Sequence, residues 1–141
     1  MISLTLPIMA DPATVWACLT ENKHLTKWWD DGVSLEPRVG GAFEERWFDR
    51  KGNEKITRGT VKALEKDSKL HLTWTDEDWE VDTEVVVTLT PAETGTELTL
   101  SHTGWEGFMG DLMDTLRETH EAGWQSHLHN LKSYAERLNA G

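Results

Sequence analysis

The sequence predicts an α+β fold in which a curved antiparallel sheet of about six to seven strands wraps around a long C-terminal helix. Three observations lead to this prediction. An early strand at residues 2–9 is followed by two short helical segments. Residues 33–103 alternate apolar and polar side chains and contain several hairpin turn signals. Residues 111–138 carry one apolar stripe at helical spacing, and a single helix after many strands has to cover a face of their sheet.

Length and charge limit the classes of partner. The 141 residues suit one domain, expected over residues 1–141, that buries roughly 70% of its unfolded surface. The net charge is −11, with 25 acidic against 14 Lys and Arg residues, and no basic run exceeds two residues. Nucleic acid and anionic membranes attract clustered positive charge, so neither is an expected partner.

The apolar segments indicate where the chain should reside. No stretch approaches the ~18 apolar residues of a membrane span, so membrane insertion is not expected. The N-terminus lacks the charged start and apolar run of a signal peptide. The single cysteine excludes an intramolecular disulfide. A cytoplasmic location is therefore expected.

The N-terminal elements follow from alternation and capping. Residues 2–9 alternate apolar and polar side chains, and Pro7 indicates a strand at the edge of the sheet. The Asp–Pro pair at 11–12 suits the start of a helix that ends near residue 20. Residues 21–31 are predicted to form a second short helix or turn.

Turn residues divide the strand region. The segments at 51–53, 66–69 and 91–95 contain the Gly, Asn, Asp and Pro residues typical of hairpin turns. Gly40–Gly41 and Gly59 are predicted to mark bends or bulges between strand pieces. The resulting hairpins make the sheet antiparallel.

The C-terminal helix has one inward face. At ~100° per residue, this face is defined by the residues within about 60° of Trp124. They are Met113, His120, His127, Leu128, Leu131, Ala135 and Leu138. His129 falls on the opposite face and is predicted to be solvated.

An ordered set of motifs resembles a known family. The motifs are ADPATVWACLT at 10–20, KWW at 27–29, VGG-F at 39–43, GTV at 59–61, LHLTW at 70–74, TGTELTLSHTGW at 94–105, and H-x-x-G-W at 120–124 followed by L-x-x-L at 128–131. Together they resemble the START-like, or SRPBCC, superfamily. Within it they are similar to the family of proteins like the activator of the heat-shock protein 90 ATPase.

The resemblance implies a helix-grip fold with a hydrophobic pocket between the sheet and the C-terminal helix. Members of the superfamily bind lipids, polyketides, hormones or aromatic compounds, and some catalyse cyclisation or related steps. The family takes its name from a co-chaperone, so a chaperone contact is one implied partner. Fold alone does not determine which of these functions applies.

Aromatic residues are the first candidates for a ligand site. They lie at inward strand positions, beside the second short helix, in the loop before the last helix and on its inward face. The candidates are Trp28, Trp29, Phe43, Trp47, Trp74, Trp105, Phe108 and Trp124. Such side chains either line a pocket for a flat apolar ligand or fill a solid core.

Four polar residues share the predicted interior. His102, His120, His127 and Glu45 are candidates for the groups that orient a ligand or move protons. The alternative is that each hydrogen-bonds a neighbour and fills space.

No metal site or cofactor is expected. HEAGW at 120–124 begins like the zincin signature H-E-x-x-H, but Trp124 replaces the second ligand. His120 and His127 share a helix face but lie roughly 10 Å apart along its axis, too far to share one ion.

The sequence favours a small binding module that holds an apolar, aromatic or lipid-like ligand between the sheet and the helix 111–138. One alternative is a cyclase, hydrolase or isomerase that uses His102 or His120 as acid–base. The other is a chaperone-associated interaction protein. A homodimer is compatible with each of these functions.

Overall fold

The computed structural model describes residues 1–140. Its elements, in chain order, are β1 (Ile2–Ile8), α1 (Pro12–Thr20), α2 (Asn22–Trp28), β2 (Val33–Leu35), β3 (Ala42–Phe48), β4 (Glu54–Glu65), β5 (Lys69–Asp76), β6 (Thr83–Ala92), β7 (Gly95–Thr103), a 3₁₀ turn (Trp105–Gly107) and α3 (Gly110–Ala140). The strands form one antiparallel sheet that curves around α3. The predicted helix-grip fold is confirmed.

Hairpin connections determine the order of the sheet. The seven strands run β1-β7-β6-β5-β4-β3-β2, so β2 to β7 follow the chain and β1 returns to pair with β7. β1 is an edge strand, as Pro7 predicted, because proline has no N–H to donate to a second neighbour. Ile2 and Ile8 of β1 are buried while the intervening odd-numbered residues are exposed.

Capping explains α1. The Asp11 carboxylate accepts a hydrogen bond from the Thr14 N–H at 2.8 Å, and Pro12 occupies the first turn, where no N–H is needed. Val15 and Cys18 are fully buried. Burial raises the pKa of the Cys18 thiol to about 11, so Cys18 remains a protonated, unreactive core residue.

β4 bends where Gly59 was expected to mark an irregularity. A side chain at Gly59 would collide with the Thr73 carbonyl oxygen, so only glycine permits this approach of β5. The pairing register between β4 and β5 then shifts by one residue between Val61 and Ala63. This bulge brings Thr57 opposite Asp76.

The long helix is slightly longer than predicted. It begins at Gly110 and ends at Ala140, whereas the apolar stripe indicated 111–138. Its buried residues are Trp124, Leu128, Leu131 and Ala135. The prediction that Leu138 faces inward is wrong: it is 41% exposed, because the covered part of the helix ends at Ala135 and the last turn extends beyond it.

A buried chain of hydrogen bonds joins α3 to three strands. The Trp124 indole N–H donates to His102 Nδ1 at 3.0 Å, and His102 Nε2 lies 2.7 Å from Thr83 Oγ1. Thr83 in turn donates to the Trp74 carbonyl oxygen at 2.7 Å. Since Trp124 can only donate and Thr83 uses its own hydrogen on the carbonyl, His102 carries its proton on Nε2 and is neutral.

Burial keeps His102 neutral. The side chain is fully buried, and this burial lowers its pKa to about 3, with a smaller contribution from the charge of His120. A proton on Nδ1 would remove the acceptor that holds Trp124.

Within residues 1–140, no helix is both long and apolar enough to cross a membrane.

We expect the free energy of unfolding to fall as the pH drops from about 6.5 towards about 3. In this window unfolded His102 binds a proton and native His102 does not, because its folded pKa is depressed to about 3 from 6.5. The loss at pH 3 is of the order of 4 kcal/mol. Urea unfolding at several pH values measures it.

His102→Gln should remove this part of the pH dependence. The matched control is His129→Gln, because His129 is exposed on the outer face of α3. Equal pH profiles for His102→Gln and the unmodified chain would contradict the role of the buried imidazole.

Candidate ligand-binding cleft

An open cleft of about 290 Å³ lies between the sheet and the middle of α3. Strands β3, β4 and β5 form one side and one face of α3 forms the other. The lining residues are Glu45, Trp47, Thr57, Trp74, Asp76, Thr119, His120, Gly123, Trp124 and His127.

Strand register brings the polar residues of the sheet into one row. Glu45 on β3 pairs with Thr57 on β4, and Thr57 pairs with Asp76 on β5. Trp47 is two residues from Glu45 and Trp74 is two residues from Asp76, so both tryptophans point to the same face as the row. The sheet side of the cleft is therefore a polar row bordered by indole rings.

Helical spacing provides the opposite side. His120, Gly123, Trp124 and His127 follow the i, i+3, i+4, i+7 pattern of one helix face. A Cβ added at Gly123 would meet no atom within 4 Å, so this glycine borders open space. Its missing side chain keeps the cleft open.

A second hydrogen-bonded chain orders the cleft. The Trp47 indole N–H donates to Thr57 Oγ1 at 3.0 Å, and Thr57 donates to Asp76 Oδ1 at 2.6 Å. The other oxygen of Asp76 lies 3.1 Å from His120 Nε2. Asp76 is thus held from two sides.

The Asp76–His120 contact contains a proton. His120 Nδ1 lies 2.8 Å from the Leu116 carbonyl oxygen, which can only accept, so Nδ1 carries a hydrogen. The contact of Nε2 with Asp76 then requires a second hydrogen, either on the imidazole or on the carboxyl group. The pair is able to donate or accept a proton at the cleft wall.

Glu45 is a protonated acid at neutral pH. Burial is the main cause that raises its pKa, to about 8, and the hydrogen-bonding contact with the Asp30 carboxyl adds to the rise. The negative charges of Asp30 and Asp76 act in the same direction, and the nearby Trp29 N–H opposes them. A neutral Glu45 offers both a donor and an acceptor to the cleft.

His127 forms part of an aromatic stack. Its ring lies 4.3 Å from the Trp29 ring centroid, with 26° between the planes. Burial lowers the pKa of His127, and the charge of Asp30 offsets part of this. A neutral imidazole therefore continues the aromatic wall.

The space between the sheet and α3, behind the open cleft, is almost filled by side chains. Its enclosed cavity has a volume of only about 40 Å³, close to the ~30 Å³ that one water molecule occupies in the liquid. Trp28, Trp29, Phe43, Trp74 and Trp124 are among its lining residues. Phe43 stacks on Trp74 at 5.4 Å, which closes the space between them.

The sequence candidates therefore divide into three groups. Glu45, Trp47, Trp74, His120, Trp124 and His127 line the open cleft. Trp28, Trp29 and Phe43 line the small enclosed cavity but not the open cleft. His102, Trp105 and Phe108 line neither.

The residues of the third group stabilise the packing behind the cleft. Both ring nitrogens of His102 are used by Trp124 and Thr83, and its carbonyl accepts from the Trp105 indole at 2.9 Å. Phe108 packs edge-on against Trp79 at 4.8 Å. His102 faces inward, as its strand parity predicted, but it lies too deep to touch a ligand.

Sequence reasoning missed several lining residues, namely Thr57, Asp76, Thr119 and Gly123. Asp76 continues the inward alternation of Leu70, Leu72 and Trp74 along β5, and this alternation is the signal that could have identified it. Thr57 could not be identified from the sequence. If the strand pairs are counted from the turn at 66–69 without the bulge, Arg58 and not Thr57 pairs with Asp76. Asp30, which acts on Glu45 from the segment after α2, carried no periodic signal.

Two indole groups lack partners. Within residues 1–140, the buried Nε1 atom of Trp74 has no hydrogen-bond partner, and an unpaired buried donor costs about 1–3 kcal/mol. Trp29 Nε1 makes no hydrogen bond of good geometry either, although it lies near enough to the Glu45 carboxyl to lower its pKa. Across the same part of the chain, no group of three or more His, Cys, Asp or Glu side chains is placed to hold a metal ion.

Comparison with known proteins gives one family. Residues 9–136 match the family described as Activator of Hsp90 ATPase homolog 1-like protein. This match confirms the resemblance seen in the motifs. No curated protein matches the chain.

Solved structures share the fold. Mll3558 from Rhizobium loti has a TM-score of 0.80 and 20% identity, with 94% of each chain covered. CV1439 from Chromobacterium violaceum has a TM-score of 0.78 and 24% identity, with 96% of each chain covered. The Aha1 dimer from Colwellia psychrerythraea has a TM-score of 0.75 and 23% identity, covering 96% of this chain and 95% of that one. The Colwellia protein is thus a homodimer.

We expect Glu45→Gln to change how stability depends on pH. Native Glu45 keeps its proton up to about pH 8 while the unfolded side chain, with a pKa of 4.5, loses it. Glu45 therefore makes the free energy of unfolding decrease as the pH rises from about 4.5 to about 8. The glutamine variant should lack this decrease and should be the more stable form at pH 8 and above.

Chemical denaturation of both proteins between pH 5 and pH 9 measures the effect. Glu44→Gln is the control, because Glu44 lies on the other face of the same strand and is absent from the cleft lining. A pH profile shared by Glu45→Gln and the unmodified protein would contradict the protonated state of Glu45.

Proposed function

Because the chain belongs to the family of Activator of Hsp90 ATPase homolog 1-like proteins, we propose that it uses the helix-grip fold to bind a small molecule. The ligand is flat and largely apolar, with a polar group at one edge. It lies in the open cleft between β3–β5 and α3. The observation that carries this proposal is the contrast between the open cleft of about 290 Å³ and the enclosed cavity of about 40 Å³.

The size and walls of the cleft support the ligand class. Ligand pockets generally range from ~300 to 1,000 Å³, so this cleft suits a molecule at the small end of that range. Trp47, Trp74 and Trp124 supply rigid apolar walls, and the rings of Trp74 and Trp124 lie 5.1 Å apart with 53° between their planes. A long lipid chain has no room in the filled interior.

The polar residues support an oriented ligand. Glu45 and the Asp76–His120 pair place hydrogen-bonding groups on both sides of the cleft, beside the ring walls. A few placed polar groups among apolar walls is the usual arrangement for binding one orientation of a ligand. An unpaired Trp74 indole N–H and a half-buried carboxyl group kept neutral are costs typical of a site shaped by function as well as stability.

Nuclear magnetic resonance with 2-naphthol as the probe tests the proposal. We expect the indole N–H signals of Trp47, Trp74 and Trp124 to shift on titration, and the signal of Trp28, whose indole N–H is held by the Cys18 carbonyl, to stay. Gly123→Leu should abolish these shifts by filling the cleft. The fold should tolerate the Gly123→Leu substitution. Glycine is about 1 kcal/mol less favourable than alanine within a helix, and a Cβ added at position 123 meets no atom within 4 Å.

Gln125→Leu is the control for Gly123→Leu. It adds the same side chain to an exposed position of α3 about 200° around the helix from Gly123, on the face away from the cleft. If the cleft signals do not move with 2-naphthol, or move equally in Gly123→Leu, the proposal is wrong.

A second candidate function is acid–base catalysis in the same cleft. The observation that favours it is the placement of a protonated Glu45 in the same cleft as the proton-sharing Asp76–His120 pair. Two groups whose environments differ in this way can act as acid and base on one bound molecule.

Deuterium exchange tests the catalytic candidate. In heavy water at neutral pH, we expect the protein to accelerate exchange at the methyl group of acetophenone by at least about a hundredfold over buffer, the low end of acid–base catalysis. Glu45→Gln and His120→Gln should each remove the acceleration, while Glu44→Gln should retain it. The candidate is excluded for carbonyl substrates if the unmodified protein gives exchange at the buffer rate. It is also excluded if Glu45→Gln and His120→Gln both exchange as fast as the unmodified protein.

A further inference from the structure

We infer that the ligand of the cleft is an organic cation, such as an aromatic molecule with a protonated amine. The inference rests on the proposed function, because it assigns a charge to the ligand of the same site. Three features carry it: the carboxyl groups at the cleft, the lack of lysine and arginine in its lining within residues 1–140, and the indole walls.

Carboxyl groups gather at one end of the cleft. Glu45 and Asp76 are lining residues, and the Asp30 carboxyl interacts with that of Glu45. Asp30 also accepts a hydrogen bond from the Gly32 N–H at 2.8 Å, which fixes its position. These three groups come from β3, β5 and the segment after α2, so the tertiary fold brings them together.

Histidine supplies the basic groups of the lining. Among the residues that the structure describes, no lysine or arginine lines the cleft, and neither Asp30 nor Glu45 forms an ion pair. Asp76 has His120 as its partner. The charges of Asp30 and Asp76 help to keep Glu45 protonated, so this end of the cleft disfavours a further negative charge, as in an anionic ligand, and favours a positive one.

The indole walls strengthen the same preference. The face of a tryptophan ring is negative, and it attracts a cation placed within about 6 Å of the ring centroid. Trp47, Trp74 and Trp124 all line the cleft beside Glu45 and Asp76. Aromatic faces with carboxylates at their edge are the arrangement that binds substituted ammonium groups.

Cation binding is coupled to release of a proton. The charged and titratable groups that face Glu45 are Asp30, Asp76, His120 and His127. A bound cation favours the ionised form of Glu45, whereas the free protein holds Glu45 protonated up to about pH 8. Affinity for a cation should therefore rise with pH by up to about tenfold per unit between about pH 6 and pH 8.

Calorimetry with three probes that share one ring tests the inference. The probes are benzylammonium, benzyl alcohol and benzoate. At pH 8 we expect benzylammonium to bind at least about tenfold more tightly than benzyl alcohol, and benzoate to bind most weakly. Comparing heats in two buffers of different ionisation enthalpy should reveal the released proton at pH 7.

Glu45→Gln should reduce the preference for benzylammonium and remove its pH dependence. The isosteric amide keeps the size of the side chain, so denaturation confirms that the variant is folded. Glu44→Gln, on the opposite face of β3, should keep both the preference and the pH dependence.

The outcomes separate this inference from the proposed function. If benzyl alcohol binds in the cleft and Gly123→Leu blocks it, but benzylammonium binds no more tightly, the cation inference is overturned and the proposed function stands. If benzylammonium binds equally to Gly123→Leu, it binds elsewhere and the inference is overturned. If neither these probes nor 2-naphthol bind, both proposals fail.

Discussion

The hydrogen-bonded chain through His102 determines how α3 sits in the sheet. Apolar contacts of Leu128 and Leu131 hold the helix against the strands, but such contacts are non-directional and tolerate rotation. The bond from Trp124 to His102 is directional and fixes the rotation of the helix about its axis. Since Gly123 and Trp124 differ by about 100° around the axis, a rotation by a large fraction of that angle would turn Gly123 away from the cleft. The shape of the cleft thus depends on a bond whose acceptor, His102, lies outside its lining.

Two side chains, His102 and Glu45, are held neutral by different causes. His102 loses its charged form because burial removes water without providing a counter-ion. Glu45 loses its charged form through burial and through the carboxyl groups of Asp30 and Asp76. The first group holds the packing together and responds only in acid. The second faces the cleft and responds near neutral pH, so of these two groups Glu45 is the one that can couple ligand binding to protons under ordinary conditions.

Periodicity predicted the fold and part of the cleft. Strand alternation and hairpin turns gave the sheet, and the parity of Phe43 and Trp74 placed Glu45 and Trp47 on the correct face. Helical spacing did the same for His120, Trp124 and His127. Periodicity gives the face on which a residue lies but not how deeply it is buried. His102 was therefore among the candidate ligand-binding residues, although Trp74 and Trp124 cover it. Thr57 could not be placed, because the bulge after Gly59 changes the register that the turn alone implies.

Which residues fill the grip decides where a ligand can bind. Phe43, Trp74 and Trp124 occupy the space between sheet and helix that a fold of this kind can leave open. The remaining volume then lies in the open cleft at the edge of this space. There Gly123 has no side chain to fill it, and Glu45, Thr57 and Asp76 line it with polar groups. A chain with the same fold but small residues at 74 and 124 would have its cavity in the apolar interior. The kind of ligand that we propose therefore follows from these few positions, because a shared fold alone does not determine it.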